Sequence, residues 1–408
     1  MEMKKSGSLY EVKLRNLRDS VMLIASMTLS LVFMAGCHGQ QKKEEVLVDT
    51  INVDRPSKLE GVPYRDSADV KSWGLVSLSG QVLVSPRYTQ EPSNVVNGRF
   101  VVRNANGLYE YYTADAEPKK IGGEYTQAGL FYEDIAPCVE KGKPYIQFIR
   151  KDGSLAFRLD SVNGHKVQSV GRFQYGMARF KADGLWGYIN VQGKVAIAPK
   201  YAEAKDFHNG LALVVDTADG NGRDFRLKQE YKIRVVDAMG KLAKAVFSSR
   251  DSIGKYFSEG LVCVMEQPKD STGTRWHFVD KDGTVVIPSC KDYQKVSSMY
   301  GTHFAFYNGT GWGIADNQMT SIVEPTLDDV VFIGTSSAAI RKYGVYKIVD
   351  YRGEALSKSY TKMKYLHNRQ NFIVFREGTY CLLDIEGEEK SKPMVMIDDN
   401  AFAHDISL

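Results

Sequence analysis

Basic runs interleaved with aromatic residues are missing from this chain, and 53 Lys and Arg against 49 Asp and Glu leave a formal net charge of only +4. That balance argues against a nucleic-acid partner, which calls for a concentrated basic face. Cysteine is scarce, five in 408 residues, with no Cys-x-x-Cys pair and no cysteine–histidine spacing suited to a metal. No metal and no cofactor is therefore expected. Cys138, Cys263, Cys290 and Cys381 read as small buried apolar residues, and disulfides among them stay an open question. His-Glu-x-x-His, Gly-x-Ser-x-Gly and phosphate-loop patterns are absent, and His165, His208, His277, His303 and His367 are scattered. No long helix is readable beyond the first forty residues.

What is present begins at the N-terminus. Lys4, Lys5, Lys13, Arg15 and Arg18 precede an uncharged run, Val21 to Ala35, that ends at Met34-Ala35-Gly36-Cys37. The run suits the core of a signal peptide and is short for a spanning helix. Small residues directly before a cysteine resemble the bacterial lipobox. That resemblance implies cleavage after residue 36 and lipid attachment at Cys37, which anchors the chain to a membrane through buried methylenes. Residues 37–60 are polar at first and show no period, so they read as a flexible tether. Lys43-Glu44-Glu45 resembles the surface-export signals of lipoproteins from Bacteroidetes-type bacteria. The expected location is the cell envelope, lipid-anchored at the outer membrane and facing either the periplasm or the outside.

From residue 61 to about 400 the chain repeats. Residues 185–215, LWGYINVQGKVAIAPKYAEAKDFHNGLALVV, share their grammar with 72–102, SWGLVSLSGQVLVSPRYTQEPSNVVNGRFVV. Both carry Trp-Gly, a second glycine seven residues after the tryptophan, then Pro-x-Tyr, then a glycine opening an apolar run. The anchor recurs as Trp73, Tyr109, Ile146, Trp186, Ile233, Trp276, Trp312, Tyr346 and Tyr380, about nine units. Spacings run from 34 (Trp312 to Tyr346) to 47 (Trp186 to Ile233), in the range of array units. Gly80, Gly153, Gly193, Gly240, Gly283, Gly353 and Gly387 follow the anchor, and Asn190, Asp237, Asp280, Asp350 or Asp384 stands three residues before the glycine. Asp or Asn opening a turn that Gly closes in the left-handed region is hairpin chemistry. Pro86, Pro199, Pro288 and Pro325 are expected to stop the second strand or hold it at an edge. An apolar residue three before another glycine, as in Phe173…Gly176, Phe207…Gly210 and Phe257…Gly260, and more loosely Val95…Gly98 and Val331…Gly334, marks a further strand. The fold class is all-β: tandem three- to four-stranded antiparallel meanders in a propeller-like or superhelical solenoid array, followed by a tail at 401–408. The anchor aromatics and the phenylalanines are expected to carry the packing.

These residues resemble the WG-repeat family, closely around Trp186 and well around Trp73, with Trp73, Trp186, Trp276, Trp312, Gly80, Gly193 and Gly283 as structural anchors. The resemblance implies a repetitive β architecture without catalytic residues to transfer. Asp280-Lys-Asp-Gly looks superficially like a calcium loop, but no glutamate closes it and the repeat register makes it a hairpin turn. The function expected is a non-enzymatic binding or scaffold module whose partner is a protein or a glycan. The alternative is a hydrolase acting on envelope material or polysaccharide, or its accessory subunit, which needs two acids on a common cleft. Two insertions fall in the same slot of consecutive units, at 216–230 and 266–275. Their Asp219, Arg223, Asp224, Arg226, Lys228, Lys269, Asp270 and Arg275 form the candidate contact patch.

Overall fold

The computed structural model describes residues 59–67, 71–217, 231–266, 275–290 (side chains of 289 and 290 excepted), 293–366, 370–402 and 405–408. Cys37 and the tether lie outside the described residues. Among these residues the regular structure is β-strand, paired antiparallel throughout. Each anchor residue lies at or one position from the start of a strand: Trp73–Ser77, Tyr109–Thr113, Ile146–Arg150, Leu185–Asn190, Lys232–Asp237, Arg275–Asp280, Trp312–Asp316, Val345–Asp350 and Thr379–Asp384. We number the units 1 to 9 in that order. In unit 4 a lead strand (His165–Val170) pairs with an entry strand (Met177–Ala182). The entry strand pairs with the anchor strand, which in turn pairs with a return strand (Val195–Ala204).

Two kinds of turn set the hairpins. Between anchor and return strands the Asn190 carboxamide accepts the backbone N–H groups of Gln192 and Lys194. Gly193 closes that turn at φ +76. Asp237, Asp280, Asp316 and Asp350 repeat the arrangement, so these carboxylates are committed to backbone. Between lead and entry strands Tyr175 and Gly176 are both left-handed, as are Asn209 and Gly210, and Glu259 and Gly260. Paired positive φ values make the tight two-residue turn whose twist matches the strands it joins.

The prolines do not stop the return strands. Pro86, Pro199 and Pro325 lie inside Val82–Tyr88, Val195–Ala204 and Ser321–Leu327. Between the pairs Trp186–Tyr201 and Tyr188–Ile197, one residue on the anchor strand faces three on the return strand. The same bulge lies between Val84 and Tyr88 and between Val323 and Leu327. Each proline occupies the middle of its bulge, where the ladder is already broken and its missing N–H costs nothing.

The bulge also accounts for the glycine of Trp-Gly. A Cβ at Gly187 would lie 2.5 Å from Ile197 O and 2.8 Å from Pro199 N. At Gly74 it would meet Val84 O at 2.5 Å, and at Gly313 it would meet Val323 O at 2.7 Å. Unit 2 keeps the bulge but has Glu110 at this place, and there the glycines, Gly122 and Gly123, sit on the bulging strand. Unit 6 has His277, and its bulge is one residue shorter, from Ile287 to Cys290.

The residue that leads into the lead–entry turn, in the place of Phe173, is buried in units 2 to 9: Val95, Phe131, Phe173, Phe207, Phe257, Met299, Ile333 and Leu366. In unit 8 this residue is Ile333 rather than Val331, because Gly334 enters the turn instead of closing it: its N–H bonds Ser337 O as Gln174 N–H bonds Met177 O. Of the anchors, Ile146 is buried in the core, while the other eight are only half-buried. Instead of filling the core, Trp73 and Trp186 lie under cations, Arg65 at 4.7 Å and Arg179 at 5.0 Å from the ring centroids.

The array closes on itself. Residues Met396–Ile397 pair with Tyr64 and Arg65, the entry strand of unit 1, so the C-terminus supplies the lead strand of the first unit. Ile397 stands opposite Tyr64 as Met363 stands opposite Val374 in unit 9 and Val170 opposite Phe180 in unit 4. One core cluster unites Val62, Tyr64 and Val76 of unit 1 with Leu366, Ile373 and Leu382 of unit 9, Ile397 among them. The result is a propeller-like ring of meanders.

Candidate functional site

The contact patch expected from the insertions is outside the described residues for Asp219, Arg223, Asp224, Arg226, Lys228, Lys269 and Asp270. Arg275 is described, opens the strand Arg275–Asp280 and pairs across from Glu266. Both slots join an entry strand to an anchor strand, Leu211–Asp216 to Lys232–Asp237 and Leu261–Glu266 to Arg275–Asp280. Units 5 and 6 share a core built from Leu213, Val235, Phe247, Phe257, Val262 and Val279. The roots of both insertions therefore stand on one end of neighbouring units. Gly80, Gly193 and Gly283 sit in anchor–return turns with positive φ, and Trp276 donates its indole N–H to Gln294 O at 3.0 Å. Cys138, Cys263 and Cys381 are buried free thiols; burial pushes the Cys263 thiol up to about 11. No group of three or more metal-ligating side chains is found among the described residues.

At the other end of the ring the lead–entry turns are tied unit to unit. The Asn97 carboxamide donates to Phe131 O at 2.7 Å, and the Glu133 carboxylate accepts Gly176 N–H at 2.9 Å. His208 Nδ1 meets Phe257 O at 2.7 Å, Ser258 Oγ donates to Met299 O, and Glu259 accepts Gly301 N–H. The residues between the phenylalanine and the glycine are thus latches between neighbours, a role that no period in the sequence announces.

A second unannounced feature is the course of the last residues. Beyond the closing strand, Asn400 O accepts Asn94 N–H at 2.6 Å and Asn400 N–H donates to Asn94 Oδ1 at 2.9 Å. Phe402 lies edge-on to Tyr109, 5.8 Å between centroids. Asp405 pairs with Arg179, which also holds Asp206, both at 2.9 Å. Ile406–Ser407 then pairs with Ser169 and Val170, adding a strand to the free edge of the unit 4 lead strand. The side chain of Gln127 in unit 3 binds both backbone groups of Ser407. Ile406 itself is buried in the core that joins units 3 and 4. The described residues of 401–408, read as a tail, pack against units 2 to 4.

Acids outside the turn positions come together just before this segment. Glu91 lies with Asp398, Asn400, Arg65 and Lys364, and Asp399 accepts the Asn94 amide at 2.6 Å. Burial first, then Asp398, pushes the Glu91 carboxyl from 4.5 up to about 7, while Asn400, Arg65 and Lys364 pull it down. Its Oε1 is shielded from solvent without a hydrogen-bond partner. The folded ring therefore binds a proton that the unfolded chain releases, so this contribution is whole below about pH 4.5 and is lost as pH rises to about 7. We expect stability to fall over that interval by about 1–2 kcal/mol, discounted for partial exposure. Glu91→Gln should flatten the dependence, which thermal melts across the interval will measure.

A third feature is a cavity of about 80 Å³ between units 7 and 8, lined by Ser297, Tyr300, Val330, Val331, Ile333 and Tyr365, with Ala305 and Phe332 completing its wall. Tyr300, Phe332 and Tyr365 form a row with centroid separations of 6.0 and 6.5 Å.

Comparison with known proteins bears on the fold. Residues 186–216 match the family model described as WG containing repeat, the unit around Trp186. Among solved structures the chain is similar to the eukaryotic initiation factor, with TM-score 0.50 and 11% identity over 84% of this chain and 97% of that one. It is less similar to apo AztD from Citrobacter koseri, TM-score 0.37 and 14% identity over 82% and 95% of the two chains. Hsv2 from Kluyveromyces lactis gives TM-score 0.32 and 13% identity over 68% and 89%. At these identities the likeness concerns fold alone. No curated protein matches the chain significantly.

Proposed function

We infer that this WG-repeat ring is a non-enzymatic binding or scaffold protein, held to a bacterial envelope membrane through a lipidated Cys37 and engaging a protein or glycan partner. The observation that carries the reading is where the side-chain chemistry goes. The turn carboxylates of Asp237, Asp280, Asp316 and Asp350 hold backbone N–H groups, and the latch residues Asn97, Glu133 and Ser258 hold neighbouring units. A closed frame of this kind leaves recognition to insertions and seams. The leader ending at Cys37 supports the anchor.

A hydrolase reading has one observation in its favour, Glu91 raised to about 7 beside Asp398. Against it, Glu91 Oε1 is shielded from solvent, and the carboxyl's neighbours are the chain's own Asp398 and Asn400.

The test joins anchor and loops in one experiment. Cys37→Ser is expected to move the protein from the membrane to the soluble fraction. In that soluble variant, deleting 218–230 and 267–274 leaves the strands and the melting temperature in place and abolishes capture of the envelope partner. A Cys37→Ser protein that stays with membranes overturns the lipid anchor, and capture unchanged by the double deletion overturns the loop patch.

A further inference from the structure

The ring shows, on one of its own seams, how it receives an extended peptide. At the seam between units 3 and 4 the lead strand of unit 4 has a free edge. Residues 405–408 fill it: Ile406 opposite Val170, Ser407 opposite Ser169, and Leu408 N–H on Gln168 O at 2.8 Å. Main-chain bonds hold the strand, and one aliphatic side chain, 1% exposed, plugs the gap between the units.

The corresponding seam between units 7 and 8 is open. Val330 pairs Ile340 as Val170 pairs Phe180, so Val330, Val331, Phe332 and Ile333 stand where Val170, Gly171, Arg172 and Phe173 stand. Likewise Val296 pairs Phe306 as Ala128 pairs Cys138, which puts Lys295 where Gln127 grips Ser407. The strand Asp329–Ile333 pairs only with Ser337–Lys342, and no strand among the described residues is hydrogen-bonded along its other edge. Such an edge presents its backbone groups to an extended chain, and an incoming strand has to displace the Asp329 carboxylate, which accepts the Val330 N–H at 2.9 Å. Beside that edge lies the cavity of about 80 Å³, room for one aliphatic side chain.

We propose that the seam between units 7 and 8 is a docking site for an extended peptide of another protein, which adds a strand to the edge of Asp329–Ile333 and sets an aliphatic residue into the cavity. The chemistry around it defines the partner. At the occupied seam Asp405 lies against Gly171, 3.3 Å from a Cβ built there, and pairs with Arg179. At the open seam the matching places hold Val331 and, for Arg179, Ala339, with Phe332 and the half-exposed Tyr365 alongside. The residue before the aliphatic plug is therefore apolar rather than acidic. Exposed Lys295 sits where Gln127 does and suits a backbone carbonyl or an acidic residue after the plug. The inference rests on the binding reading and names its partner as a β-strand peptide with two successive apolar residues. Its test does not depend on the insertions or on the membrane anchor.

The probe is a fluorescent synthetic peptide of residues 401–408 carrying Asp405→Val, titrated into the full chain, whose own tail occupies the other seam. We expect saturable binding at one site, weakened at least tenfold by Val331→Lys and at least fivefold by Tyr365→Ala. Tyr365 is 46% exposed, so its variant keeps the test available if Val331→Lys fails to fold. The unsubstituted peptide, with Asp405 facing Val331, is expected to bind more weakly. Absence of saturable binding to the full chain overturns the proposal, and so does binding that a folded Val331→Lys or Tyr365→Ala protein retains in full. Either result leaves partner capture through the insertions untouched, which separates this failure from failure of the binding reading.

Discussion

Ending the chain at Val395 is expected to remove the cooperative unfolding of the ring or to lower its melting temperature by tens of degrees. The truncation takes away the lead strand of unit 1 and the segment that crosses units 2 to 4, while unit 9 keeps the pairing of Tyr380 with Met394. Ile397 and Ile406, 2% and 1% exposed, leave the core, and each aliphatic side chain contributes about 1.5–3 kcal/mol through burial. Val62 and Tyr64, wholly buried in the intact ring, then face water along one side. The lost main-chain bonds to Pro63, Asn94 and Gln168 add about 1 kcal/mol each. The total, roughly 6–9 kcal/mol, is of the order of a whole domain's stability. Ending instead at Phe402 keeps the closure and loses Ile406 with the Asp405–Arg179 pair, so a much smaller loss of about 2–4 kcal/mol is expected. Thermal and denaturant unfolding of the two truncations will read the difference. Equal behaviour of the Val395 truncation and the full chain would sink the account of closure.

The second large effect is at Gly187. Its backbone φ is ordinary, so left-handed strain plays no part, and the cost of Gly187→Ala comes from a methyl group meeting Ile197 O at 2.5 Å and Pro199 N at 2.8 Å. Both obstacles are backbone in a bulge, which cannot rotate aside as a side chain does. The expected loss is about 3 kcal/mol, at the upper end for overpacking. Gly210 offers the control: it is left-handed at φ +74 with nothing within 4 Å of its would-be Cβ. Gly210→Ala therefore carries only the conformational penalty, about 1 kcal/mol. Equilibrium unfolding of both variants decides the matter, and a Gly210 variant less stable than the Gly187 variant would overturn the bulge argument.

These two glycines show how far the chain could be read in advance. The turn at Gly193 was legible because a left-handed residue after Asn190 is a local demand. The glycine of Trp-Gly was visible as a pattern, but its reason was not, since the atoms it makes room for lie ten and twelve residues further on in another strand. The prolines were misplaced for the same cause: they mark the centre of a bulge, not the end of a strand. The anchors look like core residues by type, yet Trp73 and Trp186 lie half-buried under Arg65 and Arg179. The insertion slots between entry and anchor strands were readable from spacing. Gln127, Arg179, Glu91, Asp405 and Ile406 were not, for none belongs to a recurring pattern.

The sequence by itself determined the unit: where each hairpin turns, which strand carries the anchor, and that about nine such meanders follow one another. Those features depend on backbone angles within a few residues, and only certain side chains permit them. Closure was decided by the tertiary structure alone. Main-chain pairing is nearly indifferent to sequence, and the buried position that Ile397 takes in unit 1 is filled by Ala128, Val170, Ala204 and Met363 elsewhere. Any small or aliphatic residue serves, so no motif in the last residues announces that they complete the first unit. The contact forms because Val95–Val96 pairs only the first half of Leu59–Arg65, and the ring brings the remaining edge at Tyr64 and Arg65 beside Met396–Ile397.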